Sequence, residues 1–286
     1  EREDKRVKKL KGAEVSAAIK SQVENLLKDW KKDKPKLAIV RVGERPDDLS
    51  YERGAVKKME SFGLRAQVYA FPETIEEEEF KSCFQKINED EDVSGILLLR
   101  PLPSHLNEKQ IERQIDPAKD LDGISPENIA KVFAGDETGF APCTAEAVIE
   151  VLKAYDIELS GKKAVIIGRS MVVGRPLSML LLKENATVTI CHTKTKDLPG
   201  TCRRGEILIA AAGRAKMVNA SYTGQDAVVI DVGINVDENG KLCGDVDFDS
   251  LEGTAAMATP VPGGVGAVTT AVLARHLVLA ALRQNS

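Results

Sequence analysis

The chain has 286 residues, of which 43% are hydrophobic and 29% charged, and its formal net charge is −4. That is enough for two modest domains, and a slightly acidic chain with scattered Lys and Arg excludes nucleic acid as the main partner, as does an aromatic content of only 4%. Five cysteines without CxxC or His-rich spacing exclude a disulfide framework and a structural zinc site, fit a reducing cytoplasm, and leave no metal site to assign.

The highly charged start, through Arg6, has no apolar h-region, so no signal peptide is read. Residues 13–32 have an amphipathic helical pattern. Leu37 to Val42 is a strand ended by Gly43. Asp47 to Phe62 predicts a helix with Gly63 at C′, followed by a strand from Arg65 to Phe71. Ile75 to Asn88 is a helix with an acidic first turn, as its dipole favours, and Val93 to Leu99 is a buried strand stopped by Pro101 and Pro103. Residues 116–143 are loop-rich with one short helix near Asn128, and Ala145 to Tyr155 is a helix.

A compact unit follows: strand Lys163 to Ile167, turn Gly168 to Gly174, helix Pro176 to Glu184 and strand Thr187 to Cys191. Strands at 207–211 and 227–232, a hairpin turn at Asp237 to Gly240 and a helix from Val268 to Arg283 complete the chain. The apolar stretch 265–282 is interrupted by Arg275 and His276 and reads as too short and too polar to cross a bilayer, so no membrane partner is expected. Alternating strands and helices predict an α/β protein of two domains with parallel sheets, its last helix packing back on the first domain.

Two glycine-bearing turns point to ligands. Gly168-Arg-Ser-Met-Val-Val-Gly174 lies between an apolar strand and a helix with Pro176 early in it, where a dinucleotide turn belongs, although its spacing is not GxGxxG. A plain turn in another α/β domain remains the alternative. Thr259-Pro-Val-Pro-Gly-Gly-Val-Gly266 combines fixed and free backbone before a helix, which suits either a tight connection or a loop that brings amides to a flat or anionic ligand. An NAD site carries an acid at the end of the next strand to hold the ribose 2′-hydroxyl. Here Cys191-His192-Thr193 has none, and Arg169 stands in the turn, so charge favours NADP over NAD.

Gly168-Arg-Ser-x-x-Val-Gly-Arg-Pro176, Ile230-Asp-Val-Gly-Ile-Asn235, Gly244-Asp-Val246, Lys119-Asp-Leu-Asp-Gly123, Pro142-Cys-Thr144 and Thr259 to Gly266 together resemble the methylenetetrahydrofolate dehydrogenase/cyclohydrolase family. The resemblance runs from about Leu10 to the last helix. It implies a folate-binding domain at 1–147, joined by the helix at 267–286, and a Rossmann-type NAD(P) domain at 148–266. It also implies a folate substrate, a homodimer, and oxidation of 5,10-methylenetetrahydrofolate to the 5,10-methenyl form, which many members then hydrolyse to 10-formyltetrahydrofolate. Such an enzyme serves one-carbon metabolism and purine biosynthesis.

By the same resemblance Tyr51 and Asp122 are the catalytic residues: Tyr51 stacks on the folate, and Asp122 holds the pterin amino and ring N–H groups. Leu99, Pro262 and Gly264 border the substrate. Gly168, Arg169, Ser170, Val173, Gly174, His192, Thr193, Ile234 and Gly264 line the cofactor.

Besides peripheral changes at Asp48, Ala145 and Ala267, two positions depart from the family where its chemistry sits. Its lysine four residues after the tyrosine is Ala55, and its glutamine at the end of the third strand is Leu99. Lys58, seven residues on, shares the helix face but lies about 10 Å along the axis. Arg100 is turned to the opposite face by strand alternation. The expectation is a dehydrogenase whose cyclohydrolase activity is weak or absent. The alternatives are a bifunctional enzyme using Lys58 or Arg100, and an inactive folate or nucleotide sensor. Relatives in the family without the lysine include NAD users, which pulls against the charge argument for NADP. Cys143 reads as a packed thiol with no partner base evident, and His105 and His276 carry no signal.

Overall fold

A computed structural model describes residues 6–286. In chain order the elements are β1 (Lys8–Lys9), α1 (Gly12–Leu26), β2 (Lys36–Val42), α2 (Pro46–Ser61), β3 (Arg65–Phe71), α3 (Glu77–Glu89), β4 (Val93–Leu98), α4 (Glu108–Gln114), α5 (Pro126–Ala134) and α6 (Cys143–Ala154). Then come β5 (Lys163–Ile167), α7 (Gly174–Lys183), β6 (Thr187–Cys191), α8 (Leu198–Arg203), β7 (Ile207–Ala210), β8 (Ala227–Asp231), β9 (Asn235–Val236), β10 (Leu242–Cys243), β11 (Ala255–Ala258) and α9 (Gly266–Gln284).

The chain separates into two compact units, one of residues 18–143 and 270–286, the other of residues up to Ala17 and 144–269. The first is built on a parallel sheet ordered β3-β2-β4. One face of this sheet, through Ala38, Val40, Val42, Ile96 and Leu98, packs with Phe80, Phe84 and Ile87 of α3 and Ile111 of α4 in a single apolar cluster. The later part of α9 returns to this unit. Arg275 donates to Gln22 of α1 at 2.7 Å, and Gln284 donates to the Ser94 carbonyl at 2.8 Å.

Length and composition would let α9 cross a bilayer, contrary to the sequence reading of 265–282. Its apolarity has another cause: Ala271, Val272, Leu273, Ala274, Leu277 and Val278 are all buried in the protein.

The second unit holds a parallel sheet ordered β1-β11-β8-β7-β5-β6. Read along the unit from β5, this is a doubly wound order that reverses between β5 and β7. The start of the chain enters this sheet, because β1 pairs with β11 and Leu10 donates to the Ala258 carbonyl at 2.9 Å. Sequence reading missed β1, β11, α4 and α8. Each is short, and β11 (Ala-Ala-Met-Ala) lacks the β-branched residues that mark a strand. The helix expected to reach residue 32 stops at Leu26, and Trp30 instead donates to the Asp33 carbonyl in a turn. The hairpin expected around Asp237 to Gly240 joins β9 to β10.

Two buried aspartates organise the carboxyl edge of this sheet. Asp231 accepts from the amides of Gly233, Asp245 and Val246. Asp245 accepts from the amides of Ala212, Gly213 and Arg214 and from the Asn235 side chain. Burial pushes the Asp231 carboxyl up to about 6 from 3.8, outweighing its three amide donors. The folded state therefore binds this proton more tightly than the unfolded chain. Between about pH 4 and pH 6 ionisation of this group lowers stability as pH rises, and the effect is complete above pH 6. Asp231→Asn is expected to flatten the stability profile over that window in urea denaturation. Its Nδ2 cannot accept from an amide, so overall stability falls as well. A variant that keeps the parent's slope contradicts the assignment.

Candidate active site

The segment Lys119 to Gly123 lies along the free side of β4. The Ile96 amide donates to the Lys119 carbonyl at 2.7 Å, and Ile96 bridges Asp120 in parallel. Gly95 makes room for this approach, since a Cβ there would sit 2.3 Å from Leu121 Cδ1.

The charged side chains of this segment have separate tasks. Buried Lys119 donates to the Asn88 and Asp90 carbonyls at 2.7 and 2.8 Å, closing the end of α3. Asp120 accepts from the Ile124 and Ser125 amides and from Asn128 Nδ2, at 3.0, 2.8 and 2.8 Å, which fixes the entry to α5. Gly123 turns the chain at φ +62°, where a Cβ would lie 2.2 Å from the Phe140 carbonyl oxygen. Asp122 sits between these fixed points, and its Oδ1 accepts from the Cys143 amide at 2.9 Å.

Asp122 and Tyr51 are brought together. Burial pushes the Tyr51 hydroxyl well above its ordinary value, and the nearby Asp122 and Cys143 add to the rise. Burial likewise raises the Asp122 carboxyl, opposed by the Cys143 amide and by the charge of Arg100. Both side chains are only half-buried at the surface, so the push comes from the density of protein around their functional atoms. A half-buried carboxylate that accepts from the Cys143 amide and keeps an accessible face is suited to a ligand that presents N–H groups.

Tyr51 is carried by α2, whose start is fixed by a buried ion pair. Arg41 Nε lies 2.5 Å from Glu52 Oε2, and the same guanidinium donates to the Gly43 carbonyl. The sequence signal for this pair was an arginine inside an otherwise apolar strand. Ala55, one turn beyond Tyr51, is fully buried, and Leu99 is buried beyond the end of β4, so both places are apolar. Lys58 Nζ lies over the Phe62 ring at 5.7 Å, and burial lowers its pKa. Arg100 is held by Glu112 at 2.7 Å, and its charge acts on Asp122 from a distance.

Cys143 is buried, as a packed thiol should be, but it has a histidine neighbour that the sequence did not reveal. Buried His276 places Nδ1 3.7 Å from Cys143 Sγ and 2.7 Å from the Leu121 carbonyl oxygen. A separation of 133 residues hid this neighbour from the sequence.

In the other unit, the expected cofactor residues sit at the carboxyl edge of the sheet. Gly168 adopts φ +125°, and a Cβ there would lie 2.3 Å from the Ala211 carbonyl oxygen. Gly174 opens α7, and a Cβ on it would lie 2.1 Å from the Gly168 carbonyl oxygen. Ser170 Oγ accepts from the Val173 amide at 3.1 Å, while Arg169 is exposed. The turn thus falls where the strand order reverses, with bare backbone and a helix N-terminus, which fits the phosphates of a dinucleotide.

His192 and Thr193 follow β6. The His192 amide donates to Thr195 Oγ1, and His192 Nδ1 accepts from the Lys194 amide. Ile234 is 71% exposed after β8. Pro262 follows a cis peptide and is exposed, and Gly264 is buried, with no room for a Cβ against the Pro260 carbonyl. Gly174→Ala must displace the Gly168 turn. It is expected to weaken NADP binding at least about tenfold in calorimetric titration, with a stability loss of about 1–3 kcal/mol. Unchanged affinity would separate this turn from the nucleotide.

Comparison with known proteins covers both units. The model of the tetrahydrofolate dehydrogenase/cyclohydrolase catalytic domain matches residues 10–122, and that of the family's NAD(P)-binding domain matches residues 142–285. The bifunctional protein FolD of Clostridioides difficile (strain 630) is 53% identical over 95% of this chain and 94% of its own length. The crystal structure of the bifunctional methylenetetrahydrofolate dehydrogenase/cyclohydrolase FolD from Campylobacter jejuni superposes with a TM-score of 0.94 at 39% identity, over 98% of this chain and 100% of that one. The Trypanosoma brucei enzyme, solved with NADP and an inhibitor, gives a TM-score of 0.91 at 32% identity over 98% of both chains.

Proposed function

The chain belongs to the tetrahydrofolate dehydrogenase/cyclohydrolase family, and from that premise we propose that it oxidises 5,10-methylenetetrahydrofolate to the 5,10-methenyl form, passing a hydride to NADP. The observation that carries this reading is Asp122, desolvated beside Tyr51 on a turn whose other charges are already engaged. Its carboxylate accepts the pterin amino and ring N–H groups, and Tyr51 lies against the ring system.

The nicotinamide supplies the hydride acceptor. The residues that hold the dinucleotide are those of the 168–174 turn, with His192, Thr193, Ile234 and Gly264. Three features support NADP over NAD: Cys191 to Thr193 contains no acid, Arg169 is exposed in the turn, and the Trypanosoma brucei relative was solved with NADP. The substrate's own nitrogen lone pair expels the hydride, so the chain's task is orientation and exclusion of water, not proton transfer. Five free cysteines suit a reducing cytoplasm, and a homodimer is the assembly the family typically forms.

The second reading adds hydrolysis of the methenyl product to 10-formyltetrahydrofolate. The relatives' names favour it over the expectation of a dehydrogenase alone. The residues set its terms. Water activation is general acid–base work, and Ala55 and Leu99 offer neither an ammonium nor an amide. Hydrolysis on this chain therefore runs without a lysine at position 55 and is the slower activity.

Initial rates of methenyltetrahydrofolate formation are expected to give the higher kcat/KM with NADP, and no reduction of either nucleotide would refute the dehydrogenase. Without cofactor, the methenyl absorbance should decay about 10²–10⁴-fold more slowly than with a lysine-bearing family member. Ala55→Lys should gain hydrolysis only if Leu99 is tolerated beside it. Parental decay as fast as the lysine enzyme's would show that water is activated by another group.

A further inference from the structure

We propose that His276 is a positioning residue for the Asp122 carboxylate, acting through the Leu121 carbonyl together with the Cys143 thiol. The inference rests on Asp122 being the pterin acceptor and adds two residues, one 154 positions further along the chain, that set its aim.

Proton logic fixes the roles. A carbonyl oxygen can only accept, so His276 Nδ1, 2.7 Å from Leu121 O, carries a proton and donates it there. Cys143 Sγ donates to the same oxygen at 3.4 Å. The 3.7 Å between Sγ and Nδ1 is thus the spacing of two donors that converge on one acceptor. A thiol activated by a base would need that nitrogen bare, so this pair is not a nucleophile with its base.

The oxygen they hold belongs to the peptide plane that ends at the Asp122 nitrogen, and a planar peptide turns as one body. Rotation of this carbonyl would swing the start of Asp122. On its far side Gly123 is confined by the Phe140 carbonyl, and Cys143 also donates its amide to Asp122 Oδ1. Cys143 therefore meets the plane with its thiol and the carboxylate with its backbone amide, and the thiol bears on that carboxylate as well.

His276 is itself held. Its ring packs on Phe140 at 5.0 Å between centroids. Further along α9, Arg283 stands 4.9 Å from the same Phe140 ring and donates to the Thr138 carbonyl at 2.9 Å. His276, Cys143 and Leu121 are all buried, so water cannot replace a lost donor freely.

The test compares His276→Leu, which removes the donor, with His276→Asn, whose Nδ2–H can stand where Nδ1–H stood. KM is measured for methylenetetrahydrofolate and for NADP, and calorimetry gives the Kd of tetrahydrofolate. Removing one buried donor should raise both folate constants about tenfold in His276→Leu. The asparagine variant should stay within about threefold of the parent, and the NADP KM should hold in both. Folate constants unchanged in His276→Leu, equal damage in the two variants, or folate and NADP constants rising together would each overturn the proposal. If His276→Leu does not fold, Cys143→Ala against Cys143→Ser makes the same comparison, with the alanine alone expected to lose folate affinity. A parent that does not turn over methylenetetrahydrofolate would sink the functional reading itself. A parent that does, with no such split among the variants, would sink only the role of His276.

Discussion

Desolvation of the Lys119 to Gly123 turn is the constraint on which the folate side of this protein depends. Charged groups packed against the edge of a sheet must find partners, because each one left bare costs several kcal/mol. Lys119 is absorbed by carbonyls at the end of α3, and Asp120 by amides at the start of α5. That leaves one carboxylate, Asp122, whose desolvation exceeds what the chain itself supplies. On the proposed function, the paired N–H groups of the pterin complete the set. Fold stability and substrate recognition are therefore the same accounting applied to neighbouring residues.

The nucleotide side uses the opposite device. There the chain withdraws side chains at Gly168 and Gly174, leaving bare backbone at the start of α7, and Asp231 and Asp245 gather the amides of adjacent loops along the same sheet edge. Hydride transfer asks the two sites for orientation alone. Hydrolysis asks for a proton carrier as well, and the positions that resemble the family's lysine and its glutamine are here a buried alanine and a buried leucine. On the proposed function, the departures at 55 and 99 bear on hydrolysis and not on hydride transfer.

Much of this was legible in the sequence. The strands Arg65–Phe71, Lys163–Ile167 and Thr187–Cys191 have the bounds expected from periodicity, because each is a short apolar or alternating run between clear breakers. The glycine turn was placed by its context of strand and helix. What stayed hidden was long-range pairing. His276 beside Cys143, and the donors that meet Asp245 from two separate segments, the amides of 212–214 and the Asn235 side chain, depend on residues brought together only by folding. Arg41 and Glu52 are only 11 residues apart and left a trace, an arginine within an apolar strand that required a partner. The burial of Lys119 had no such trace, since a lysine beside aspartates reads as solvated surface.

The role of Asp122 is tested most directly by replacing it with alanine and measuring methylenetetrahydrofolate turnover together with NADP affinity. A pterin held by this carboxylate predicts that kcat/KM for the folate falls by about 10²-fold while the Kd for NADP is unchanged. An alanine variant that oxidises the folate as efficiently as the parent would show that the substrate is recognised elsewhere.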